Sequence, residues 1–271
     1  MLRPRRFDWG NLRLRIVSGV VLAVVVVLCA LRGGDIFLIL VGAGAAELSI
    51  EWSFMVARQA PTRVAVTMTA TLLAVAFLTW AGHIYSAVSV IVLGAAISAL
   101  VSSPVTERQA DAAYGVVYIG PACLTLIWLR DTPQGDGWTM MLLASTWAAD
   151  ICAFAVGNLL KGPKLWPRFS PNKTWSGFFG GLVGAAGAAV GVAALMMHLS
   201  LPGAAAIGFV GGLATMMGDL WESMLKRRFG VKDSGDLIPG HGGLLDRVDG
   251  LMFATIVFAG ARLVVRLGWA H

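Results

Sequence analysis

The side chains of this sequence best suited to chemistry are carboxylates beside apolar stretches in its C-terminal half. Asp219 lies near the end of one such stretch, and Asp246 and Asp249 lie where the next one begins. The last two are three residues apart and would share one face of a helix. Mg²⁺ usually takes one or two carboxylates together with substrate phosphates, so two helices presenting these aspartates at one interface could hold it. The structural alternative is that Asp246 caps a helix, which would explain one acid there but not two.

Basic side chains accompany Asp219 at helical spacing. On a continuous helix, Ser223 and Lys226 lie on the face of Asp219, and Arg227 lies beside them toward the helix end. This arrangement suits the binding of a phosphate near a metal ion. The structural alternative is an ion pair at a helix end, which contributes little free energy.

A glycine-dense segment, residues 230–243, connects the two groups of acids. Successive backbone N–H groups in such a segment can converge on an anion. Glycine is common in loops, so the stronger indication is its combination with basic residues before it and aspartates after it. Within this segment, His241 is interpreted as a hydrogen-bond donor to a phosphate or to a carboxylate.

Lys173 is a further candidate for phosphate binding. It lies in the segment Ser170–Thr174, which opens an apolar run. A lysine at the N-terminus of a helix adds its charge to free N–H groups and suits a phosphate. Serine, threonine and proline are also ordinary signals of a helix start, which explains the segment equally well.

The chain that must position these residues is 57% hydrophobic and only 13% charged, with a mean hydropathy of +0.76. Soluble domains are about one quarter charged, so a water-soluble globule, a disordered chain and a coiled coil are excluded. The cysteines lie inside apolar runs and are interpreted as small buried hydrophobic residues, which excludes a disulfide scaffold: Cys29, Cys123 and Cys152. The composition therefore predicts an all-α, polytopic integral membrane protein, and its 33 glycines are typical of closely packed transmembrane helices.

Nine apolar runs approach the roughly 20 residues that a helix needs to cross the hydrocarbon core. They are Ile16–Leu31, Ile36–Ala57, Val64–Ala81, Tyr85–Val101, Tyr114–Leu129, Trp138–Leu160, Trp175–Met197, Ala204–Leu220 and Leu251–Leu267. The first is interpreted as a retained helix instead of a signal peptide, because no clear cleavage site follows it. The predicted organisation is a set of N-terminal helices, residues 1–138, and a C-terminal catalytic region, residues 139–271, with loops at residues 161–173 and 222–250.

The distribution of basic residues predicts the orientation. Most of the 21 lysines and arginines lie in alternate connections, starting with the N-terminal segment and including both longer loops. The positive-inside rule therefore places the N-terminus and these loops in the cytoplasm. The net charge of +6 is explained by this topology, so no nucleic-acid partner is expected. Since no organelle-targeting segment is evident, the bacterial inner (plasma) membrane is the expected location.

A family resemblance is carried by residues 223–227, 232–233 and 239–249, which together resemble the signature of the phosphatidate cytidylyltransferases, or CDP-diacylglycerol synthases. Three upstream blocks fit the same family, namely residues 147–150, 170–174 and 218–223. The resemblance covers the chain from about Trp147 onward, whereas the earlier part matches only as hydrophobic spans.

The resemblance implies transfer of the cytidylyl group of CTP to phosphatidic acid, giving CDP-diacylglycerol and pyrophosphate, with Mg²⁺ as cofactor. The catalytic residues it implies are Asp219, Asp246, Lys226 and Arg227, and the magnesium ligands are Asp219, Asp246 and Asp249. The substrate-binding residues it implies are Asn172, Lys173, Ser223, Lys232, Asp233, His241, Gly242, Gly243 and Arg247. A lipid substrate would also explain why a nucleotide-dependent enzyme lies in the membrane bilayer.

Two other functions fit parts of the pattern. A CTP-dependent polyprenol or phytol kinase would share the membrane and the nucleotide, but it would transfer the γ-phosphoryl group to an alcohol and need a general base. A transporter could line an ion path with its acids, but their gathering with bases at one end of the helices argues against it. A homodimer is a further option, although the sequence identifies no face for it.

Overall fold

The structure, a computed structural model, describes residues 9–59, 61–103, 108–167, 170–235 and 242–268. These ranges contain nine helices and one short hairpin. The helices are α1 (Trp9–Arg32), α2 (Gly34–Val56), α3 (Pro61–Trp80), α4 (Ile84–Ser102), α5 (Gln109–Asp131), α6 (Gly135–Leu160), α7 (Trp175–Met196), α8 (Leu201–Phe229) and α9 (Leu245–Arg266). The hairpin consists of strands β1 (Lys164–Trp166) and β2 (Ser170–Thr174). The prediction of an all-α polytopic membrane protein is confirmed.

Eight of these helices, α2 to α9, are long and apolar enough to cross a membrane, and α1 contributes a shorter apolar stretch, Val17–Arg32. Large apolar side chains cover the outside of the bundle, as expected for a surface that faces lipid. Examples are Tyr85, Leu100, Phe154, Leu159, Val183 and Leu195. The chain is therefore a multi-pass membrane protein.

The buried apolar residues form two clusters. The first lies among α2 to α5 and includes Trp52, Met68 and Ile119. The second lies among α5 to α9 and includes Trp138 and Phe258. Residues from α8 and α9, among them Leu225 and Leu245, also join the first cluster, so the C-terminal helices are packed directly against the N-terminal ones.

Polar contacts show which connections share an end of the bundle. Arg58, after α2, donates through Nη2 to the backbone oxygen of Phe229 at the end of α8, at 3.0 Å. Arg228 pairs with Asp111 at the start of α5, with 2.7 Å between Nη2 and Oδ1. At the opposite end, Arg130 donates to backbone oxygens at the end of α1. The connections after α2, α4 and α8 therefore lie at one end, which is the arrangement that the charge distribution predicts.

Two glycines allow α8 and α9 to cross in close contact. A Cβ atom at Gly218 would lie 2.5 Å from the carbonyl oxygen of Asp249, and one at Gly250 would lie 2.7 Å from Cγ2 of Thr215. Any larger residue would push the backbones apart, because these distances are shorter than van der Waals contact. The crossing brings the second half of α8 next to the first turns of α9.

Helix boundaries differ from the sequence prediction around the loop at 222–250. Helix α8 continues past Leu220 to Phe229, because its last turns are polar but still helical, with an ion pair between Glu222 and Lys226 one turn apart. Helix α9 begins at Leu245, before the predicted apolar span, so Asp246 and Asp249 lie in its first two turns. The predicted loop at 161–173 contains the β1–β2 hairpin.

Candidate active site

Lys226 lies at the centre of the candidate active site, between two carboxylates. Its Nζ donates to Oε2 of Glu222 at 2.6 Å, one turn earlier on α8, and to Oδ1 of Asp246 in the first turn of α9. The side chain of Glu222 is buried and that of Lys226 is mostly buried. Charge-assisted hydrogen bonds of this kind are the stronger ones in proteins. The pair thus fixes the end of α8 against the start of α9.

Asp246 receives three further hydrogen bonds from the segment between α8 and α9, residues 230–244, which we call the connecting segment. Its Oδ2 accepts from the backbone N–H of Ser234 at 3.1 Å, from Oγ of Ser234 at 3.0 Å and from the backbone N–H of Gly243 at 3.2 Å. Gly242, beside it, has a φ of 83°, a conformation that glycine adopts readily. The two ends of the segment are therefore folded onto one carboxylate.

Lys173 forms the third ion pair of the site, with Oδ2 of Asp219 on α8. The hairpin positions it, because β2 ends at Thr174 and α7 starts at the next residue. Thr174 caps α7, since its Oγ1 accepts from the backbone N–H of Gly177 at 3.1 Å. The segment is thus both a helix start and the element that brings a lysine to α8.

Three aspartates from three helices lie within electrostatic range of one another. Asp249 on α9 is near Asp219 on α8 and near Asp150 on α6. Asp150 in turn lies near the charges of Lys173 and Arg247. The structure therefore brings two of the three predicted ligands, Asp219 and Asp249, near each other and adds Asp150 to their surroundings. The third predicted ligand, Asp246, is bound separately by Lys226 and the connecting segment.

Most of the remaining predicted residues are neighbours of these groups in sequence. Ser223 on α8 is half-buried. Five other predicted substrate-binding or catalytic residues are exposed: Asn172, Arg227, Lys232, Asp233 and Arg247. His241 lies outside the described residues. The exposed basic side chains among them are accessible to a soluble nucleotide.

The donor set of the site fits a magnesium ion whose remaining ligands are phosphate oxygens. Within the described ranges, no three His, Cys, Asp or Glu side chains already form a metal-binding group. Carboxylates nevertheless outnumber bases, with Asp150, Asp219, Glu222, Asp246 and Asp249 against Lys173, Lys226 and Arg247. Oε1 of Glu222 is buried and has no hydrogen-bond partner in this part of the chain. Surplus negative charge on oxygen ligands suits Mg²⁺, provided that phosphates supply the remaining ligands.

Sequence comparison assigns the chain to a family. The sequence profile of the cytidylyltransferase family matches residues 13–264, nearly the whole chain. The chain belongs to this family. The predicted family resemblance is thereby confirmed.

Within the cytidylyltransferase family, several bacterial relatives are similar in sequence. The chain is 47% identical over 144 residues to a phosphatidate cytidylyltransferase of Brucella suis, covering 53% of each chain. It is 38% identical over 161 residues to that of Pseudomonas aeruginosa, covering 57% of each, and 40% identical over 123 residues to that of Mycobacterium bovis, covering 45% of this chain and 40% of the relative. The matched part spans about half the length of these relatives.

Three carboxylates of this cytidylyltransferase-family site are absent from the predicted site residues, namely Asp150, Glu222 and Glu51. The one most distant from the others in sequence is Glu51 on α2. It is 4% exposed and accepts hydrogen bonds from Ser234, Leu244 and Leu245. A signal existed, because Glu51 is a carboxylate inside a predicted membrane span, and such residues are functional candidates. Its partners, however, are 183 or more residues away along the chain, and no local pattern connects them.

Proposed function

We propose that the chain transfers the cytidylyl group of CTP to phosphatidic acid, giving CDP-diacylglycerol and pyrophosphate. The observation that carries the proposal is the convergence of Lys226 with Glu222 and Asp246, where α8 and α9 meet. A lysine, several carboxylates and backbone donors thus lie together. The chain belongs to a family whose bacterial members include proteins named phosphatidate cytidylyltransferase, which supports the proposal.

The reaction needs positioning and charge neutralisation more than proton transfer. An oxygen of the phosphatidate phosphate attacks the α-phosphorus of CTP, the new P–O bond forms, and the bond between the α-phosphorus and its bridging oxygen breaks. Pyrophosphate leaves with that oxygen and its electron pair. Because the nucleophile is already ionised, no general base is required. Such transfers depend mainly on alignment and on stabilisation of the charge on phosphate oxygens.

Lys226 and Lys173 are the residues that neutralise this charge in the proposed mechanism. Lys173 is paired with Asp219, and Lys226 is paired with Asp246 as well as with Glu222. In the proposed mechanism each lysine exchanges its aspartate for a phosphate oxygen when substrate binds. Arg227 and Lys232 are exposed near the same end and would attract the triphosphate from solution. Ser223 lies one turn before Lys226 on α8.

The other predicted substrate-binding residues retain that role in the proposal: Asn172, Asp233, His241, Gly242, Gly243 and Arg247.

Asp219, Asp246 and Asp249 are the residues that would hold Mg²⁺, and the ion would supply positive charge to the phosphates of CTP. For Asp246 this role follows the release of Lys226 toward substrate. The chain's own contribution is the α8–α9 crossing, which keeps the three carboxylates on adjacent helices.

The membrane setting suits a lipid substrate, because the two acyl chains of phosphatidic acid can stay in the bilayer during the reaction. We place the N-terminus and the catalytic end in the cytoplasm of a bacterium, with the bundle in the inner membrane. The basic residues at the shared end support this orientation. A homodimer stays an option for which the sequence identifies no face.

The proposal is tested by product analysis with the purified chain in vesicles that contain both phosphatidic acid and a polyprenol. With CTP and Mg²⁺ we expect CDP-diacylglycerol and pyrophosphate in equal amounts, measured by mass spectrometry and a pyrophosphate assay. Chelation of divalent ions by EDTA should stop the reaction, and added Mg²⁺ should restore it. Formation of phosphorylated lipid and CDP from a polyprenol or other alcohol acceptor, without product from phosphatidic acid, would overturn the proposal.

A further inference from the structure

Glu51 on α2 is bound by three hydrogen bonds to the connecting segment and to the first residue of α9. Its Oε1 accepts from the backbone N–H of Leu244 at 2.6 Å, and its Oε2 accepts from the backbone N–H of Leu245 at 2.8 Å. Oε2 also accepts from Oγ of Ser234 at 3.1 Å. Glu51 and Ser234 are both buried, at 4% and 6% exposure. A buried carboxylate with this many donors has a fixed orientation.

Two of these bonds satisfy the first turn of α9. The first N–H groups of a helix have no partner inside it and carry partial positive charge. Leu244, at the N-cap position, makes no side-chain capping bond, so these donors depend on another acceptor. Glu51 supplies that acceptor from α2, and it thereby sets the position of the turn that contains Asp246.

The third bond links Glu51 to Asp246 through one serine. Oγ of Ser234 lies 3.1 Å from Glu51 and 3.0 Å from Asp246, and its single proton can serve one carboxylate at a time. The backbone N–H groups of Ser234 and Gly243 hold Asp246 in addition. The two carboxylates are therefore arranged around the same short stretch of backbone.

The glycines beside Glu51 show how tightly the segment is packed. A Cβ atom at Gly243 would lie 2.8 Å from Oε1 of Glu51, and one at Gly235 would lie 3.0 Å from it. The backbone can approach the carboxylate this closely because both residues lack a side chain. A change in the acceptor at Glu51 must therefore be transmitted to the segment.

We propose that Glu51 is a positioning residue for the cytidylyl transfer: by binding Ser234, Leu244 and Leu245 it holds Asp246 in place for Lys226 and substrate. This inference rests on the proposed function. Glu51 itself touches no reacting atom in this scheme. It acts through the connecting segment, as the partners that orient metal and phosphate ligands do in other enzymes.

The test compares Glu51→Gln with Glu47→Gln. Each variant removes one carboxylate from α2, and the two positions are one turn apart. Within the described part of the chain, Glu47 makes no hydrogen bond to the connecting segment. In Glu51→Gln an amide NH₂ group replaces one oxygen. It would therefore face the N–H of Leu245 or that of Leu244, and a donor would meet a donor.

Two measurements on these variants are needed. Hydrogen exchange followed by mass spectrometry should show faster exchange in residues 242–250 of Glu51→Gln, without a change in α6 or α7. The kcat for CDP-diacylglycerol formation should fall about 10- to 100-fold in this variant, the usual effect of losing an orienting partner. Glu47→Gln should match the wild type in both measurements.

A double-variant cycle with Ser234→Ala adds a check on the route. If Glu51 acts partly through Ser234, the combined loss in kcat is smaller than the product of the two single losses. Equal exchange in wild type and Glu51→Gln, or faster exchange with unchanged kcat, would overturn the proposal. Equal losses of activity and thermal stability in both glutamine variants would overturn it as well, since Glu51 would then be only structural.

The outcome for Glu51 and the outcome for the proposed function are separable. Absence of CDP-diacylglycerol with the wild-type chain would contradict the proposed function. The exchange of residues 242–250 reports on the contacts of Glu51 whether or not that reaction occurs.

Discussion

Asp246 is the residue through which most of the catalytic end is connected. It accepts from Lys226 on α8, from Ser234 and from Gly243, and the last two flank the segment between α8 and α9. Four donors around one carboxylate make an arrangement that an amide cannot reproduce, because an amide offers one acceptor atom and two donors.

Asp246→Asn should therefore abolish turnover without unfolding the protein. The amide NH₂ would face Lys226 or the backbone donors, and misplacement of catalytic groups costs about 100-fold or more in rate. The measurement is the initial rate of CDP-diacylglycerol formation, with thermal unfolding in detergent as the test of folding. Asp136→Asn, an exposed change at the opposite end of α6, is the matched control. Near-normal turnover in Asp246→Asn would remove Asp246 from the mechanism.

The sequence points to individual charged residues of the site, but not to the partners with which the structure pairs them: Asp219 pairs with Lys173 of the hairpin, and Lys226 pairs with Glu222 and Asp246. Asp219, Lys226 and Asp246 are identifiable because charge is scarce in the chain and helical spacing relates the first two. The contacts of Glu51 with Ser234 and α9 depend on how α2 packs against α9, which no spacing within either segment encodes.

At the scale of elements, the crossing of α8 and α9 decides the geometry of the site. Gly218 and Gly250 let the two backbones touch. Asp219 directly follows Gly218, and Asp249 directly precedes Gly250. The close approach and the pairing of the acids are therefore one structural feature.

Gly218→Ala should destabilise the protein by about 1–3 kcal/mol, because its methyl group meets the backbone of Asp249 and the helices must separate. Activity should fall with it, since Asp219 and Asp249 move apart. Thermal unfolding and initial rates in detergent measure both effects. Gly187→Ala in α7 is the control, because a Cβ atom there has no neighbour within 4 Å. Equal behaviour of the two variants would show that the crossing tolerates a side chain.

The ends of the helices are harder to predict from the sequence than the helices themselves. Hydropathy locates the apolar part of α8 but ends at Leu220, whereas hydrogen bonding and the pair between Glu222 and Lys226 continue the helix to Phe229. The β1–β2 hairpin was missed for a related reason. Its strands are short and polar, with residues such as Lys164 and Asn172, and they lack the apolar alternation that marks a half-buried strand.

At the scale of the whole molecule, the catalytic groups gather at one end of a multi-pass bundle. Arg58 and Arg228 connect α2 and α5 to the end of α8, while Arg130 connects α1 to α5 at the other end. Arg58 and Arg228 are thus two of the basic residues that lie on the side predicted to be cytoplasmic, and Arg130 is one of the few on the other side.

The predicted orientation can be read with single cysteines introduced into a variant that lacks the three native ones. Lys164→Cys in β1 and His83→Cys before α4 are exposed and lie in connections predicted to face opposite sides. A membrane-impermeant maleimide should label His83→Cys in spheroplasts and Lys164→Cys only in inverted vesicles. Labelling of Lys164→Cys from the outside would reverse the orientation, and equal labelling of both sites from one side would contradict the span count.

The most direct test of the central claim is the fate of the α- and γ-phosphates of CTP. The purified chain in vesicles that contain both phosphatidic acid and a polyprenol is given CTP radiolabelled at one phosphate or the other, and the lipid fraction is counted. Cytidylyl transfer predicts that label from the α-phosphate enters lipid and that label from the γ-phosphate leaves as pyrophosphate. Entry of the γ-label into lipid, without the α-label, would contradict the proposed reaction and identify a phosphoryl-transferring kinase.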